Sequence, residues 1–256
     1  MKPVAVIKIG GALLEQHERM QSFWHDIAAL QETHDVVIVH GGGPQATAMA
    51  RRLGHEPRIV QGRRVTSDLD LDIIRWTLCG LGNASLVAQA QQAGLTAVGL
   101  SGADAQTVHV TKRPPWDMDG EQVDFGWVGD VVKVDPTLLR HLLVGGFLPI
   151  VATLGIDEAG QHYNVNGDTV TGAIAEAMDA DRLLLVTEIG QVQHEGTRCI
   201  RLDHGKIEAG IAAGWLKGGM RVKVTVGLHA RQAGVQHVHI LGPSDLLHMN
   251  QGTEIR

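Results

Sequence analysis

The chain has 256 residues, a formal net charge of −6 and a hydrophobic fraction of 44%, enough for one large domain or two small lobes around a true core. The mild acidity argues against the concentrated basic face of a nucleic-acid binder. No apolar run approaches the ~20 residues of a membrane span. Two distant cysteines, Cys79 and Cys199, argue against a disulfide framework and for a reducing compartment.

Thirty-two glycines set against 4% aromatics suggest an aliphatic α/β core with many tight turns. The first predicted strand, Val4–Ile9, is apolar except for Lys8 and runs into Gly10-Gly11. No basic leader precedes it, so a cytoplasmic location is expected. A helix over Glu15–Glu32 and a strand over Val36–His40 follow, the strand ending in His40-Gly41-Gly42-Gly43-Pro44. Next come a helix over Pro44–Leu53 and a short hairpin from Arg58 to Val65, turning at Gln61–Gly62. A long helix is predicted over Ser67–Gln92, with Ser67 as its N-cap and Asp68 and Asp70 in the first turn. After a strand at Ala97–Leu100, the segment Gln106–Val134 alternates Val108, Val110, Val123 and Phe125 around Pro114–Pro115 and an Asp119–Gly120 turn. It reads as an antiparallel excursion from the α/β chain.

The remaining predicted elements are a helix at Pro136–Val144, a strand at Phe147–Val151, a helix at Asp168–Met178, a strand at Leu183–Thr187, helices at Ile207–Ala213 and Lys223–Ala233, and a strand at Val235–Leu241. Strands apolar on both faces belong to a parallel sheet covered by helices on both sides. The last strand carries Gln236, His237 and His239 and is expected near a sheet edge. With no third ligand near the His237/His239 pair, no metal site is expected. No linker or internal repeat divides the chain. Two lobes sharing one sheet fit this pattern, residues 1–179 and 180–256, with the boundary at Asp179–Arg182.

Three glycine clusters carry the chemical signal: Lys8-Ile9-Gly10-Gly11, Gly41-Gly42-Gly43, and Lys217-Gly218-Gly219-Met220 followed by Lys223. At the carboxyl ends of parallel strands, glycines let backbone N–H groups approach an anion closely. Neither a GxxxxGK[ST] loop nor a GxGxxG fingerprint is present. Lys8 in an apolar strand calls for an anion or an outlet to water, and Lys8 and Lys223 from opposite lobes are suited to flank a transferring phosphoryl group. Asp168 is expected at the cap or first turn of its helix, behind the amides Asn164 and Asn166. Of Arg63 and Arg64, one is expected to clamp a carboxylate and the other to be a solvent-exposed turn residue.

In order and at fitting spacing, IKIGG, HGGGP, GxRVT (Gly62–Thr66), NVNGD (Asn164–Asp168) and KGGMxxKV (from Lys217) resemble the acetylglutamate kinase branch of the amino-acid kinase family. The resemblance runs from Lys8 to the C-terminus. It implies a three-layer α/β/α sandwich with a mainly parallel sheet, hairpin insertions in an acyl-amino-acid-binding and dimerising N-terminal lobe, and an ATP-binding C-terminal lobe. It implies transfer of the γ-phosphate of ATP, with Mg2+ held mainly by the nucleotide, to the γ-carboxylate of N-acetyl-L-glutamate in arginine biosynthesis. Lys8 and Lys223 would stabilise the phosphoryl group and Asp168 would hold both lysines. Gly10, Gly11, Gly42 and Gly43 would offer N–H groups to phosphate and substrate, Arg64 would bind the α-carboxylate and Asn164 the acetamido region. Glu188, Gly190, Lys217, Gly218 and Gly219 would contact the nucleotide. No catalytic histidine is implied.

Three positions depart from the family's usual pattern: Asn83-Ala84 for Asn-Lys, Asp104-Ala105 for Asp-Gly, and Thr187-Glu188 for Thr-Asp or Ser-Asp. No helical extension precedes the first strand, from which a homodimer not inhibited by arginine is expected. The alternatives are a sister kinase of lysine biosynthesis, acting on α-aminoadipate that is acetylated or borne by an acidic carrier protein, and a nucleotide-binding module without catalysis.

Overall fold

The computed structural model describes residues 2–118 and 120–256, and at His17 the backbone alone. Eight strands build the central sheet: β1 (Val4–Ile9), β2 (Asp35–His40), β3 (Ala97–Ser101), β4 (Leu148–Ala152), β5 (Arg182–Val186), β6 (Arg201–Leu202), β7 (His237–Leu241) and β8 (Thr253–Ile255). Their order is β6-β8-β7-β5-β1-β2-β4-β3. Strands β1 to β5 and β7 run parallel, β8 is antiparallel to β7, and β6 follows β8. The strands drawn from residues 1–179 and those from 180–256 therefore occupy separate halves, meeting where β1 pairs with β5.

The covering helices are α1 (His17–Leu30), α2 (Gly43–Arg52), α3 (residues 68–92), α4 (Thr137–Val144), α5 (Gly167–Ala177), α6 (His204–Ala212) and α7 (Gly218–Gln232). Every residue of β1 and β4 is buried, because alternate side chains enter different layers. Val4 and Val6 join Val170 and Ile174 of α5 and Val224 of α7. Ala5, Ile7 and Ile9 join Phe23 and Ile27 of α1 and Leu86 of α3. The result is the expected three-layer sandwich, and it fixes the direction of Lys8: by the same alternation its side chain leaves the sheet toward α5 and α7.

Ser67 caps α3 as expected, with a reciprocal capping box to Asp70. The helix is not uniform, however. Residues Arg75–Gly82 form a π-helical segment between α-helical ends, a feature that propensity and periodicity do not signal. The small hairpin pairs Ile59–Val60 with Arg63–Arg64 and turns through positive φ at Gln61 and Gly62. The antiparallel excursion is also present, pairing Val108–Lys112 with Gly129–Val134. Leu154–Ile156 and His162–Asn164 extend it to a four-stranded side sheet. Its outer hairpin pairs Trp116–Met118 with Glu121–Val123; the Asp119 half of the expected turn lies outside the described residues.

Two expectations are corrected. β7 is not near the edge, because β8 and β6 pair outside it through contacts remote in sequence. And α7 starts at Gly218 rather than Lys223, so Gly218-Gly219 open the helix instead of preceding it.

The Asp104-Ala105 departure has a visible cost. Asp104 accepts the Ser101 N–H at 2.6 Å, and the tight turn that follows places Ala105 at φ +50° and Gln106 at φ +54°. A Cβ in that region costs roughly 1–2 kcal/mol, which a glycine avoids while adding some unfolded-state entropy. Ala105→Gly is expected to stabilise the fold by about 0.5–1 kcal/mol in urea titration; a loss of stability would show that the turn is not strained.

Candidate active site

Three charged side chains meet at the carboxyl edge of the sheet, on the α5/α7 side. Lys8 leaves β1 one residue before the strand ends. Asp168 sits in the first turn of α5, whose cap is Asn166, its Oδ1 accepting the Thr169 N–H at 3.1 Å. Of the two places expected for Asp168, cap or first turn, it takes the second. Lys223 reaches down from α7. The Lys223 Nζ donates to Asp168 Oδ2 at 2.9 Å, while Lys8 Nζ lies 3.3 Å from Oδ1 in a charge contact that leaves this oxygen without an aligned hydrogen bond.

Lys8 and Asp168 are only 8% and 5% exposed. Burial pushes the Lys8 ammonium below the usual lysine range, against the pull of Asp168 and with the help of neighbouring Lys223. Burial would raise the Asp168 carboxyl, but the two ammonium groups outweigh it and hold it below the usual carboxylate range. The helices that carry Asp168 and Lys223 approach closely because residue 172 is glycine: a Cβ there would stand 2.5 Å from Val226 Cγ1.

The glycine loops of β1 and β2 pack on each other. A Cβ on Gly11 would come within 2.9 Å of Gly42 Cα, and one on Gly42 would strike Leu78 of the π segment at 2.8 Å. A Cβ on Gly10 would lie 3.7 Å from Lys8 Nζ. Gly42 is the N-cap of α2 and supplies no side chain to its first N–H groups. Lys217 likewise caps α7 without a side-chain bond. Both helices thus present free N–H donors and positive potential at this edge.

Beside them opens a cavity of about 240 Å³ whose lining includes Gly42, Gly43, Arg64 and Asn164, the four residues expected to hold the acceptor. Gly167, next to Asp168, joins this lining and touches the Lys8 stem, a Cβ there lying 3.5 Å from Lys8 Cε. Arg64 is pinned from behind: its guanidinium donates to Asp70 Oδ1 at 3.2 Å and to Thr47 Oγ1 at 2.5 Å. Asn164 Nδ2 donates to Thr66 Oγ1 at 3.1 Å.

Arg63 is not the solvent-exposed turn residue expected of one member of the pair; both arginines are half-buried and line the cavity. Asn166, the second of the two amides expected ahead of α5, lines it too, as do Arg113 and Thr153, which no motif in the sequence singles out. Thr153 stands directly after β4, a position that parallel sheets reserve for ligands. Arg113 carried no local signal, because the excursion folds back through Thr66, whose N–H donates to Phe125 O and whose carbonyl accepts from Trp127 N–H. Glu188, Gly190, Lys217, Gly218 and Gly219 lie outside this lining. Glu188 meets the Gln16 side chain, Gly190 donates its N–H to Thr187 Oγ1, and Lys217–Gly219 form the exposed opening of α7.

His40 and Asn83 form a strut behind the second glycine loop. His40 is fully buried; one ring nitrogen meets Gly41 O at 3.0 Å and the other meets Asn83 Nδ2 at 3.0 Å. A carbonyl only accepts, so the proton sits on Nδ1 and Nε2 accepts from Asn83. Asn83 Nδ2 also lies 2.8 Å from Ile150 O, tying α3 to β4. Burial drives the His40 pKa down to about 4, against its hydrogen bond to Gly41. Between pH 6.5 and about 4 the unfolded chain takes up a proton that the folded chain refuses. Stability must therefore fall as pH falls through this window, by up to about 3 kcal/mol from this group. Denaturation curves of His40→Gln should show a flatter slope across the same window; an unaltered slope would place the titration elsewhere.

A mainly parallel open sheet, with desolvated lysines and uncapped helix N-termini at its carboxyl edge, is the architecture of an enzyme that transfers an anionic group. The chain belongs to the amino acid kinase family, whose sequence profile matches residues 3–242. It is similar to acetylglutamate kinase from Methanopyrus kandleri, 40% identical over 98% of this chain and 99% of that one. It is also similar to acetylglutamate kinase from Symbiobacterium thermophilum, 39% identical over 92% of this chain and 83% of that one. Among solved structures, smu.665 from Streptococcus mutans superposes with a TM-score of 0.80 at 27% identity, covering 100% of this chain and 99% of that one. Giardia carbamate kinase, at 14% identity, shares the fold with a TM-score of 0.74 over 99% and 98% of the two chains.

Proposed function

We infer that the protein is an ATP-dependent kinase of amino-acid biosynthesis that phosphorylates the γ-carboxylate of N-acetyl-L-glutamate. The observation that carries this reading is the Lys8–Asp168–Lys223 cluster: one buried and one half-buried cation on a single buried carboxylate, beside a cavity with an arginine and an amide. A carboxylate oxygen of the acceptor attacks the γ-phosphorus, the bond to the β,γ-bridging oxygen breaks, and ADP leaves with that electron pair. The product is an acyl phosphate. The acceptor is already ionised at neutral pH, since an ordinary glutamate carboxyl has a pKa of about 4.3, so no general base is required. Positioning and charge neutralisation are the whole task.

In this reading Lys8 and Lys223 neutralise charge on the phosphoryl oxygens, and Asp168 holds them apart at a fixed spacing. Gly10, Gly11, Gly42 and Gly43 supply backbone N–H groups. Arg64 takes the α-carboxylate and Asn164 the acetamido group. Glu188, Gly190, Lys217, Gly218 and Gly219 receive ATP, and the free N–H groups at the start of α7 face its phosphates. Residues 1–179 form the acceptor lobe and 180–256 the nucleotide lobe, a division supported by the segregation of their strands in the sheet. The active form is a cytoplasmic homodimer. Mg2+ enters on the triphosphate, a role that leaves Asp168 free to hold the lysines that both its oxygens face.

Hydroxylamine trapping with MgATP and N-acetyl-L-glutamate should yield hydroxamate. Lys8→Ala and Lys223→Ala should each lower kcat by at least ~100-fold, the scale of losing one oriented charge donor, with smaller effects on KM. Arg64→Ala should chiefly raise the KM for the amino acid. No hydroxamate from the intact enzyme, or near-normal kcat in Lys8→Ala, would overturn the reading.

A further inference from the structure

One end of the cavity carries more positive charge than N-acetyl-L-glutamate can use. Of that substrate's two carboxylates, one goes to the phosphoryl centre and the other to Arg64, whose own charge is already matched by Asp70 at 3.2 Å. Yet Arg63 and Arg113 line the same cavity. Both stand on the indole of Trp116, with guanidinium carbons 4.8 and 4.3 Å from the ring. Contact with an aromatic ring helps fix planar cations in place and leaves N–H groups for a ligand. Arg113 also donates two hydrogen bonds to a single oxygen, Asp130 Oδ1, at 2.9 and 2.6 Å. Among the described residues no carboxylate forms an ion pair with Arg63. Burial lowers its pKa, as do the charges of Arg113 and Arg221, with Asp130 opposing. Two guanidinium groups, Arg63 and Arg113, thus share one aromatic ring beside a single carboxylate, Asp130, that only Arg113 contacts, a charge excess that an anion would relieve.

We propose that the acceptor's N-acyl arm itself ends in a carboxylate, and that Arg63 and Arg113 on the Trp116 platform are its receptor. The substrate class is then an N-acyl glutamate built from a dicarboxylic acid, a better acceptor than the acetyl compound. Arg63 occupies the variable position of the GxRVT motif, so it sets acyl specificity while Arg64 keeps the α-carboxylate. This inference rests on the kinase reading above.

Steady-state kinetics with N-succinyl-L-glutamate and N-acetyl-L-glutamate, each with MgATP, test it. The intact enzyme should show a kcat/KM at least ~10-fold higher for the succinyl compound, as expected for a hydrogen-bonded charge pair. Arg63→Leu should erase most of that ratio by raising the KM for the succinyl compound, with the KM for ATP as the control for a nucleotide role. Equal use of the two acceptors, or preference for acetyl, overturns the inference and leaves the kinase reading intact. A rise confined to the KM for ATP reassigns Arg63 to the nucleotide. Turnover of neither compound sinks both. The intact-enzyme comparison needs no variant and decides the matter even if Arg63→Leu fails to fold.

Discussion

Two ammonium groups share one carboxylate beneath the carboxyl edge of the sheet, and the cluster they form carries an uncompensated positive charge. Lys223 and Lys8 lie 2.9 and 3.3 Å from opposite oxygens of Asp168, all three largely withdrawn from water. Such a cluster is poorly explained as a device for stability. Desolvation of buried ions commonly cancels the attraction between them, and here the two lysines repel each other as well. It is well explained as a receptor whose missing member is an anion. The electrostatic cost is met in the folded protein, so the positive charge need not reorganise when a phosphoryl group arrives.

The rest of the architecture serves that spacing. Lys8 comes from β1, Asp168 from the first turn of α5 and Lys223 from the second turn of α7. They meet because β1 is central, because strand alternation turns Lys8 toward α5 and α7, and because Gly172 lets those helices touch at Val226. On the other flank, Gly11 and Gly42 interlock, and His40 and Asn83 hold the second loop from behind. The glycines thus have two different uses. Gly43 keeps a Cβ out of open space at the cavity, whereas Gly11, Gly42 and Gly172 allow backbone contact that any side chain would prevent.

What the sequence disclosed follows from how local each signal is. β1 was legible from its apolar run, and Lys8 was conspicuous as the one charge within it. The Ser67 cap and the Gln61–Gly62 turn depend on a few neighbouring residues and were read correctly. Where pairing is remote, the reading failed. β7 was assigned near an edge because of its histidines, yet β8 and β6 close over it from elsewhere in the chain. The π segment of α3 leaves no periodic trace over so few residues. Arg113 gave no sign that it faces the same cavity as Arg63 and Arg64, since the backbone bonds through Thr66 that bring them together exist only in the fold.

The most direct test of the central claim compares the stabilities of two variants by chemical denaturation at neutral pH. In Lys8→Met the remaining lysine and Asp168 form a balanced pair, so stability should be equal to or greater than that of the parent chain even as catalysis is lost. In Asp168→Asn the buried Lys8 ammonium and the half-buried Lys223 ammonium face each other without a counter-charge, and the loss should reach about 3 kcal/mol or more. That asymmetry is the signature of a cluster built with one positive charge in excess. Equal destabilisation by the two substitutions would contradict it and would make the cluster an ordinary structural ion-pair network.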